Sequence, residues 1–201
     1  KELGLAEAYT LFFIAPLLIT ALSTVVLGEK VRAAHWVAIV LGMVGVVVAL
    51  RPSQDAFFTL GALAVLGAAC GYAVSAITGR VLSRTDSSAS LVFWTTALLA
   101  LGAGTLAWPN WVGVAQAHWP LVAGLAVTGF LGQLAITEAF RHGQASVVAP
   151  FEYTALAWGM GLDWVLWQTV PGYSTLLGGA IIIGSGLYLV RQERTQAVVP
   201  P

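Results

Sequence analysis

The sequence predicts an all-α fold, a polytopic transmembrane helix bundle, and three observations lead to this prediction. Hydrophobic residues make up 58% of the 201 residues and charged residues only 9%, against about 25% charged residues in a soluble domain. Apolar stretches of roughly 18 to 23 residues fill the chain, and each is long enough as a helix to cross a hydrocarbon core of about 30 Å. The basic residues between these stretches fall on alternate loops, as they do in multi-span membrane proteins.

Seven stretches are predicted to span the membrane. In chain order they are Leu5–Leu27, Ala33–Leu50, Phe58–Thr78, Ser90–Trp108, Trp119–Phe140, Ser146–Trp167 and Tyr173–Val190. The first and sixth contain Pro16 and Pro150, and each proline frees a backbone carbonyl inside its helix. Small residues recur every four positions in several spans, for example at Gly42 in the second and at Gly67 and Gly71 in the third. This spacing favours close packing between membrane helices.

The distribution of charge predicts the orientation in the membrane. Seven of the nine basic residues fall on one side, and these are Lys30, Arg32, Arg80, Arg84, Arg141, Arg191 and Arg194. The positive-inside rule places this side, together with the C-terminus, in the cytoplasm. Glu29 lies in the tight turn after the first span on the same side, where we expect it to cap a helix or to form a salt bridge within the loop. Tryptophans mark the outer ends of the helices, at Trp108, Trp111, Trp119, Trp164 and Trp167.

The first two spans and the last two spans resemble each other. An offset of 140 residues superimposes four identical pairs, which are Ala15 and Ala155, Leu22 and Leu162, Val25 and Val165, and Arg51 and Arg191. A span five positions later crosses the membrane in the opposite direction, so the repeat would be inverted. Inverted repeats are typical of secondary transporters, whose substrate site lies near the midplane between the two halves.

The repeat predicts the domain organisation. Residues 1–52 are the last two helices of a first repeat, residues 53–194 form a second repeat of five helices, and residues 195–201 form a disordered tail. Seven spans of an expected ten are then present, and the three missing spans are expected before Lys1. A protein of only seven spans is the alternative.

Two acids lie within the sixth span, Glu152 and Asp163. They are 11 residues apart, which is about three helical turns, so they share one face and lie about 16 Å apart along the axis. An ionised side chain in lipid costs about 2.5–3.5 kcal/mol, so this face should look into the bundle or into a wet cavity. Either acid could bind a substrate amine or carry a proton. The alternative is an interfacial acid that pairs with an arginine or caps a helix, and it is favoured for Asp163, which is nearer the surface.

Other residues are candidates for lining the same cavity, because small-molecule pockets combine aromatic walls with a few convergent polar groups. They are Tyr9, Phe13, Tyr72, Ser75, Trp94, Gln133, Tyr153 and Trp158. Taken singly, each is more often a packing residue than a ligand contact. Gln133 is the strongest of them, because a buried amide requires hydrogen-bond partners.

Several functions are disfavoured by the composition. The net charge is zero and the basic residues are spread over separate loops, so no nucleic-acid partner is predicted. The histidines show no metal-ligand spacing and the nine acids form no cluster, so neither a metal nor a cofactor is expected, and a membrane-embedded enzyme is the weakest alternative. The single cysteine, Cys70, lies in the third span, where we expect a small buried side chain.

Two segments resemble the EamA-type family of drug/metabolite transporters. The first includes Phe13–Pro16 and Leu27–Val31 and is followed by a glycine-bearing span that ends at Arg51–Pro52. The second is the segment 138–154, with the run Ala145–Phe151 at its centre. The resemblance implies ten helices in two inverted five-helix repeats, both termini in the cytoplasm, and export or exchange of small metabolites through a central cavity.

The sequence departs from the family pattern at two positions. Members of the family usually repeat the Gly-Glu turn in the second half, but here Gln168 and Thr169 stand there. Leu156 replaces the proline that would match Pro16. These departures put a symmetric role for the two turns in doubt.

The predicted function is therefore an integral membrane secondary transporter that exports or exchanges a small metabolite by alternating access, in the inner membrane of a bacterium. Coupling to protons is a hypothesis that rests on Glu152. The two acids and many aromatic residues favour an amphipathic, zwitterionic or cationic substrate. A non-transporting membrane subunit or an inactive truncated copy is the main alternative, and the predicted partners are the lipid bilayer and the substrate, with a homodimer left open.

Overall fold

The computed structural model describes residues 5–52, 59–168, 170 and 172–197, and over these residues it contains helices and no strands. Nine α-helices follow one another along the described chain. They are α1 (Leu5–Phe12), α2 (Ala15–Leu22), α3 (Ala33–Leu50), α4 (Leu60–Leu82), α5 (Ser88–Ala107), α6 (Trp119–His142), α7 (Ala145–Val148), α8 (Thr154–Trp167) and α9 (Tyr173–Ala197). The residue Phe58, where the third span was predicted to begin, lies outside the described part.

Six helical segments are long and apolar enough to cross a membrane among the described residues. They are Ala8–Leu27, Ala33–Leu50, Leu60–Leu82, Ser88–Asn110, Gln116–His142 and Tyr173–Gln192. The sixth predicted span, residues 146–167, consists of shorter pieces: α7, a 3-10 helix over Ala149–Tyr153, and α8. The predicted all-α, polytopic membrane bundle is confirmed.

The first span is interrupted near its middle. Residues Phe13 and Ile14 form a turn between α1 and α2, and Pro16 occupies the first turn of α2, where a missing N–H costs nothing. The last residues of the span, Ser23–Leu27, form a π-helical turn that ends at Gly28 with φ +67°. Glycine adopts this left-handed conformation without strain, so the chain turns sharply there.

Helix α3 packs mainly against α9, and glycines set the distance between them. A Cβ atom added at Gly45 would lie 2.7 Å from Ile182 Cγ1 and 2.8 Å from the carbonyl oxygen of Gly178. Such close approach of two helix backbones is what small residues allow in membrane proteins. The core of this region contains Phe13, Val46, Tyr153 and Ile182.

Helix α4 differs from the prediction made for its small residues. A Cβ atom added at Gly67 or Gly71 would meet no atom within 4 Å, so in the described part of the chain these glycines pack against no neighbour. Cys70 lies in the same stretch and is exposed, so the prediction that it is buried was wrong. Spacing identifies which residues share a face, but it does not tell what covers that face.

The chain divides into two compact units. The first comprises the residues up to 77 together with those from 144 onward, and the second comprises residues 78–143. In the second, Ser87 caps α5 by accepting a hydrogen bond from the Ser90 N–H at 3.2 Å. The Arg141 guanidinium at the end of α6 donates to Ser88 Oγ at 3.2 Å, and Arg80 donates to the Arg141 carbonyl. The Arg141–Ser88 bond ties the start of α5 to the end of α6, and the Arg80–Arg141 bond ties the end of α4 to the same place.

Helix α9 runs to Ala197, so residues 195–197 of the predicted tail are helical, and residues 198–201 lie outside the described part. The predicted division into repeats at residue 52 stays a prediction. The substituted position Thr169 also lies outside the described residues.

Candidate functional site

Two adjacent aromatic rings at the interruption of the first span contact different partners. The Phe12 ring lies against Tyr72 of α4, with ring centroids 5.5 Å apart, and the Phe13 ring lies against Tyr153, with centroids 5.7 Å apart. Tyr9, one turn earlier, stands 6.3 Å from Phe13. Consecutive side chains on a helix diverge by about 100°, so Phe12 and Phe13 can reach two elements at once.

A polar pair lies beside this aromatic cluster. The Tyr72 hydroxyl donates a hydrogen bond of 3.0 Å to Glu152 Oε1, which joins α4 to the 3-10 helix that contains Pro150. Both side chains are half-buried. Within the described residues Tyr72 is the one polar partner of the Glu152 carboxylate. An acid in such apolar surroundings is costly to ionise unless it is paired, so the site is suited to binding a cationic group or a proton.

Tyr153, which follows Glu152, is completely buried. Its ring fills the space that a side chain at position 42 would need: a Cβ atom added at Gly42 would lie 2.7 Å from Tyr153 Cε2 and closer still to Cδ2. The Tyr153 hydroxyl has no hydrogen-bond partner among the described residues. In this conformation Tyr153 therefore packs the core and holds the neighbouring Glu152 in place, and its predicted role as a substrate contact stays a prediction.

The structure brings together five of the ten residues that the sequence suggested for the site, namely Glu152, Tyr153, Tyr72, Tyr9 and Phe13. Ser75, Trp158 and Asp163 are exposed on α4 and α8, and Trp94 and Gln133 belong to α5 and α6 of the second unit.

Phe12 was missed by the sequence analysis. The available signal was the aromatic pair Phe12 and Phe13 close to Pro16, because neighbouring side chains on a helix point about 100° apart and can contact different elements.

A second polar contact lies at the turn after the first span. The Glu29 carboxylate accepts hydrogen bonds from the Ala145 N–H at 2.8 Å, the Ser146 N–H at 3.0 Å and the Ser146 hydroxyl at 2.8 Å. Partial burial raises the pKa of the Glu29 carboxyl, but the bonds from Ser146 and Ala145 outweigh burial and hold this pKa below its ordinary value. The capping role expected for Glu29 is thus seen, with the start of α7 as the capped helix.

An open apolar groove of the first unit does not contain these polar groups. It has a volume of about 590 Å³, lies along α8 and α9, and is lined by apolar residues that include Met160, Trp164 and Ile183. Its walls offer a substrate no charge and few polar atoms, so the Tyr72–Glu152 pair is the better candidate for a site with chemical selectivity.

The long apolar helices among the described residues define a multi-pass membrane protein. The sequence model described as the EamA-like transporter family matches residues 59–191, more than half of the chain. The chain belongs to this family, whose members are transporters and not enzymes. The resemblance noted in the sequence is confirmed.

Three relatives illustrate the range of the family. The chain is similar to the pseudopaline exporter CntI of Pseudomonas aeruginosa strain UCBPP-PA14, with 29% identity over 195 residues that cover 96% of this chain and 68% of the relative. It is 32% identical to a riboflavin transporter of Vibrio cholerae over 93% of this chain and 63% of that protein. An S-adenosylmethionine uptake transporter of Rickettsia conorii is 27% identical over 90% of this chain and 62% of its own length.

A solved structure titled "Crystal structure of protein" supports the fold. It superimposes with a TM-score of 0.80 at 24% identity and covers 96% of this chain and 69% of that chain. The chain thus spans about two thirds of the length of the proteins it resembles. The lipid bilayer and a small-molecule substrate are its partners.

Proposed function

We propose that the complete protein is a secondary transporter that exports or exchanges a small metabolite by alternating access, and that the Glu152–Tyr72 pair binds the substrate. The observation that carries this proposal is the 3.0 Å hydrogen bond between two side chains inside predicted membrane spans. Polar groups at this depth are expensive and are placed where an ion or substrate passes. Relatives named as an exporter and as an uptake transporter show that family membership alone does not fix the direction.

The chemistry of the pair favours a substrate with a positive charge and an apolar body. A carboxylate whose polar partner is a phenol can accept an ammonium group, and Phe12 and Tyr72 offer aromatic faces beside it. We therefore propose an amphipathic, zwitterionic or cationic metabolite. Proton coupling follows if Glu152 binds either a proton or the substrate, because each would then displace the other.

Interrupted helices support movement around this site. The first span is broken at Phe13 and Ile14, and the segment that carries Glu152 changes to a 3-10 helix at Ala149–Tyr153. Broken helices line the sites of many secondary transporters, where they allow one half to move against the other. We place the protein in the inner membrane of a bacterium with its C-terminus in the cytoplasm, and a homodimer is compatible with this arrangement.

Transport by the complete protein in proteoliposomes tests the proposal. Radiolabelled S-adenosylmethionine and riboflavin serve as probes, and uptake is compared for the wild type, Glu152→Gln and Tyr72→Phe. We expect Glu152→Gln to abolish uptake of the cationic probe S-adenosylmethionine, because an amide neither binds a cation nor exchanges a proton, and Tyr72→Phe to reduce it. The matched controls are Glu138→Gln, an acid whose side chain is 44% exposed and pairs with His142, and Tyr173→Phe, an exposed tyrosine.

Each outcome has a definite meaning. Equal uptake by the wild type and Glu152→Gln would remove Glu152 from the site. Uptake that ignores an imposed pH gradient would remove proton coupling and leave the transporter in place. No uptake of either probe, and no gradient-driven exchange of a wider set of amines, would favour a non-transporting subunit or an inactive copy.

A further inference from the structure

The contact between Glu29 and the start of α7 joins parts of the chain that are far apart in sequence. Three hydrogen bonds converge on one carboxylate from residues 116 and 117 positions away. Ser146 is completely buried, and Glu29 is half-buried. A charged acceptor with three donors is among the stronger polar contacts a protein makes.

Glu29 replaces a local helix cap. The first N–H groups of any helix have no partner within the helix, and the residue at the usual capping position, Gln144, makes no side-chain hydrogen bond to α7. Glu29 accepts two of these backbone N–H groups from outside the segment. The segment that leads to Glu152 is therefore anchored by Glu29, in the turn after the first span.

The turn holds the acid in a fixed position. Gly28 ends the first span with φ +67°, and the Glu29 N–H bonds back to the Ser23 carbonyl at 3.2 Å. Beside this turn α2 packs against α7 and against residues 149–153. Releasing Glu29 would thus free one edge of the contact between α2 and the Glu152 segment.

The matching turn in the other half has the same backbone shape but a different side chain. The offset of 140 residues places Gln168 on Gly28, and Gln168 ends α8 with φ +52°, also left-handed. The next residue is Thr169 where the first half has Glu29. By sequence, the acid is present at one turn and absent from its counterpart.

We infer that Glu29 is a one-sided latch, which holds the contact between α2 and α7 closed at its end of the protein. This inference rests on the proposed function, because a latch of this kind biases a protein that alternates between two access states. With an acid at one turn and none at the other, the state closed on the Glu29 side is favoured. The charge pattern assigns that side to the cytoplasm.

Cysteine accessibility tests the latch without any substrate. The complete protein is freed of native cysteines, Cys70 included, and a reporter is placed by Thr20→Cys. Thr20 is completely buried on α2 and its hydroxyl has no partner among the described residues, so the replacement breaks no described bond of that hydroxyl. Thr20 lies on the buried face of α2, the helix that packs against α7, so the rate of its reaction with N-ethylmaleimide in proteoliposomes reports opening around α2.

We expect Glu29→Gln to raise the labelling rate about tenfold, because a hydrogen bond to a charged group contributes about 1.5–3 kcal/mol and about 1.4 kcal/mol is a factor of ten. Ser146→Ala removes one donor and leaves both backbone bonds, so a rise of about threefold is expected. Glu138→Gln serves as the matched control and should leave the rate unchanged.

A second reporter separates a latch from general stability. Ser185→Cys lies on α9, where Ser185 is also buried, and its labelling should not respond to Glu29→Gln. If Glu29→Gln accelerated labelling equally at both reporters, Glu29 would only stabilise the fold. If it did not accelerate labelling at Thr20→Cys, Glu29 would hold nothing closed. Either result overturns the latch. A protein that shows the latch but transports nothing would instead overturn the proposed function.

Discussion

Replacing Gly42 by alanine tests whether the packing of Tyr153 positions the candidate site. The added methyl carbon would lie 2.7 Å from Tyr153 Cε2 and 3.2 Å from Cγ, and closer still to Cδ2. Van der Waals contact between carbons needs about 3.5–4.0 Å, so ring or helix must shift. The ring has little freedom, because it is completely buried and lies against Phe13.

The magnitude follows from two opposing effects. Overpacking a filled core costs about 1–3 kcal/mol, whereas replacing glycine by alanine inside a helix gains about 0.5–1 kcal/mol. We expect a net loss of about 1–2 kcal/mol in the free energy of unfolding, since the clash outweighs the helix term. Displacement of Tyr153 also moves Glu152, so transport should fall in the same variant.

Reversible unfolding of the purified protein in mixed micelles, followed by tryptophan fluorescence during titration with dodecyl sulfate, measures the loss. Gly67→Ala is the matched control, because the added methyl group would meet no atom within 4 Å. It should leave stability unchanged or raise it by up to about 1 kcal/mol. If Gly42→Ala is as stable as Gly67→Ala, the close contact with Tyr153 does not exist and the reasoning fails.

Two further predictions concern single side chains. The folded-state pKa of Glu29 is lowered, so its stabilising contribution is fully present above the ordinary carboxyl pKa and is lost as the pH falls through the lowered value. The difference in thermal stability between the wild type and Glu29→Gln should therefore shrink between pH 7 and acidic pH. A constant difference would contradict the hydrogen-bonded carboxylate. Tyr153→Phe removes a buried hydroxyl that lacks a partner among the described residues. Thermal unfolding should therefore show a stability that is unchanged or up to about 1 kcal/mol higher. A clear loss of stability would reveal a bond to that hydroxyl.

The membrane helices could be predicted from the sequence because hydrophobic length alone determines them. The predicted span Ala33–Leu50 agrees with α3 to the residue. Helix α4, which contains the third predicted span, extends to Leu82, beyond the predicted end at Thr78. The sixth span could not be predicted in detail: Pro150 signals an irregularity, but its resolution into a 3-10 helix depends on neighbours that sequence spacing does not reveal.

The sequence predicted the residues of the candidate site better than it predicted the contacts between them. Tyr72 and Glu152 both stood out as polar groups inside apolar stretches, yet their hydrogen bond joins residues 80 positions apart. Local periodicity carries no information at that separation. Phe12 was overlooked for the same reason, because its ring contacts Tyr72, which is far away in the sequence.

The hydrogen bonds of the second unit have a mechanical consequence. The Arg141–Ser88 bond ties the start of α5 to the end of α6, and Arg80, at the end of α4, bonds to the same end of α6. The opposite end of the α5–α6 hairpin presents Trp108, Trp111 and Trp119, which are 61% to 80% exposed. Among the bonds described in this unit, those that join different helices lie at the Arg141 end of α6. Bending would therefore separate α5 and α6 most at the opposite end. The three indole rings lie at the end where the two helices would separate most. Their fluorescence can report how deeply this end of the hairpin sits in the bilayer.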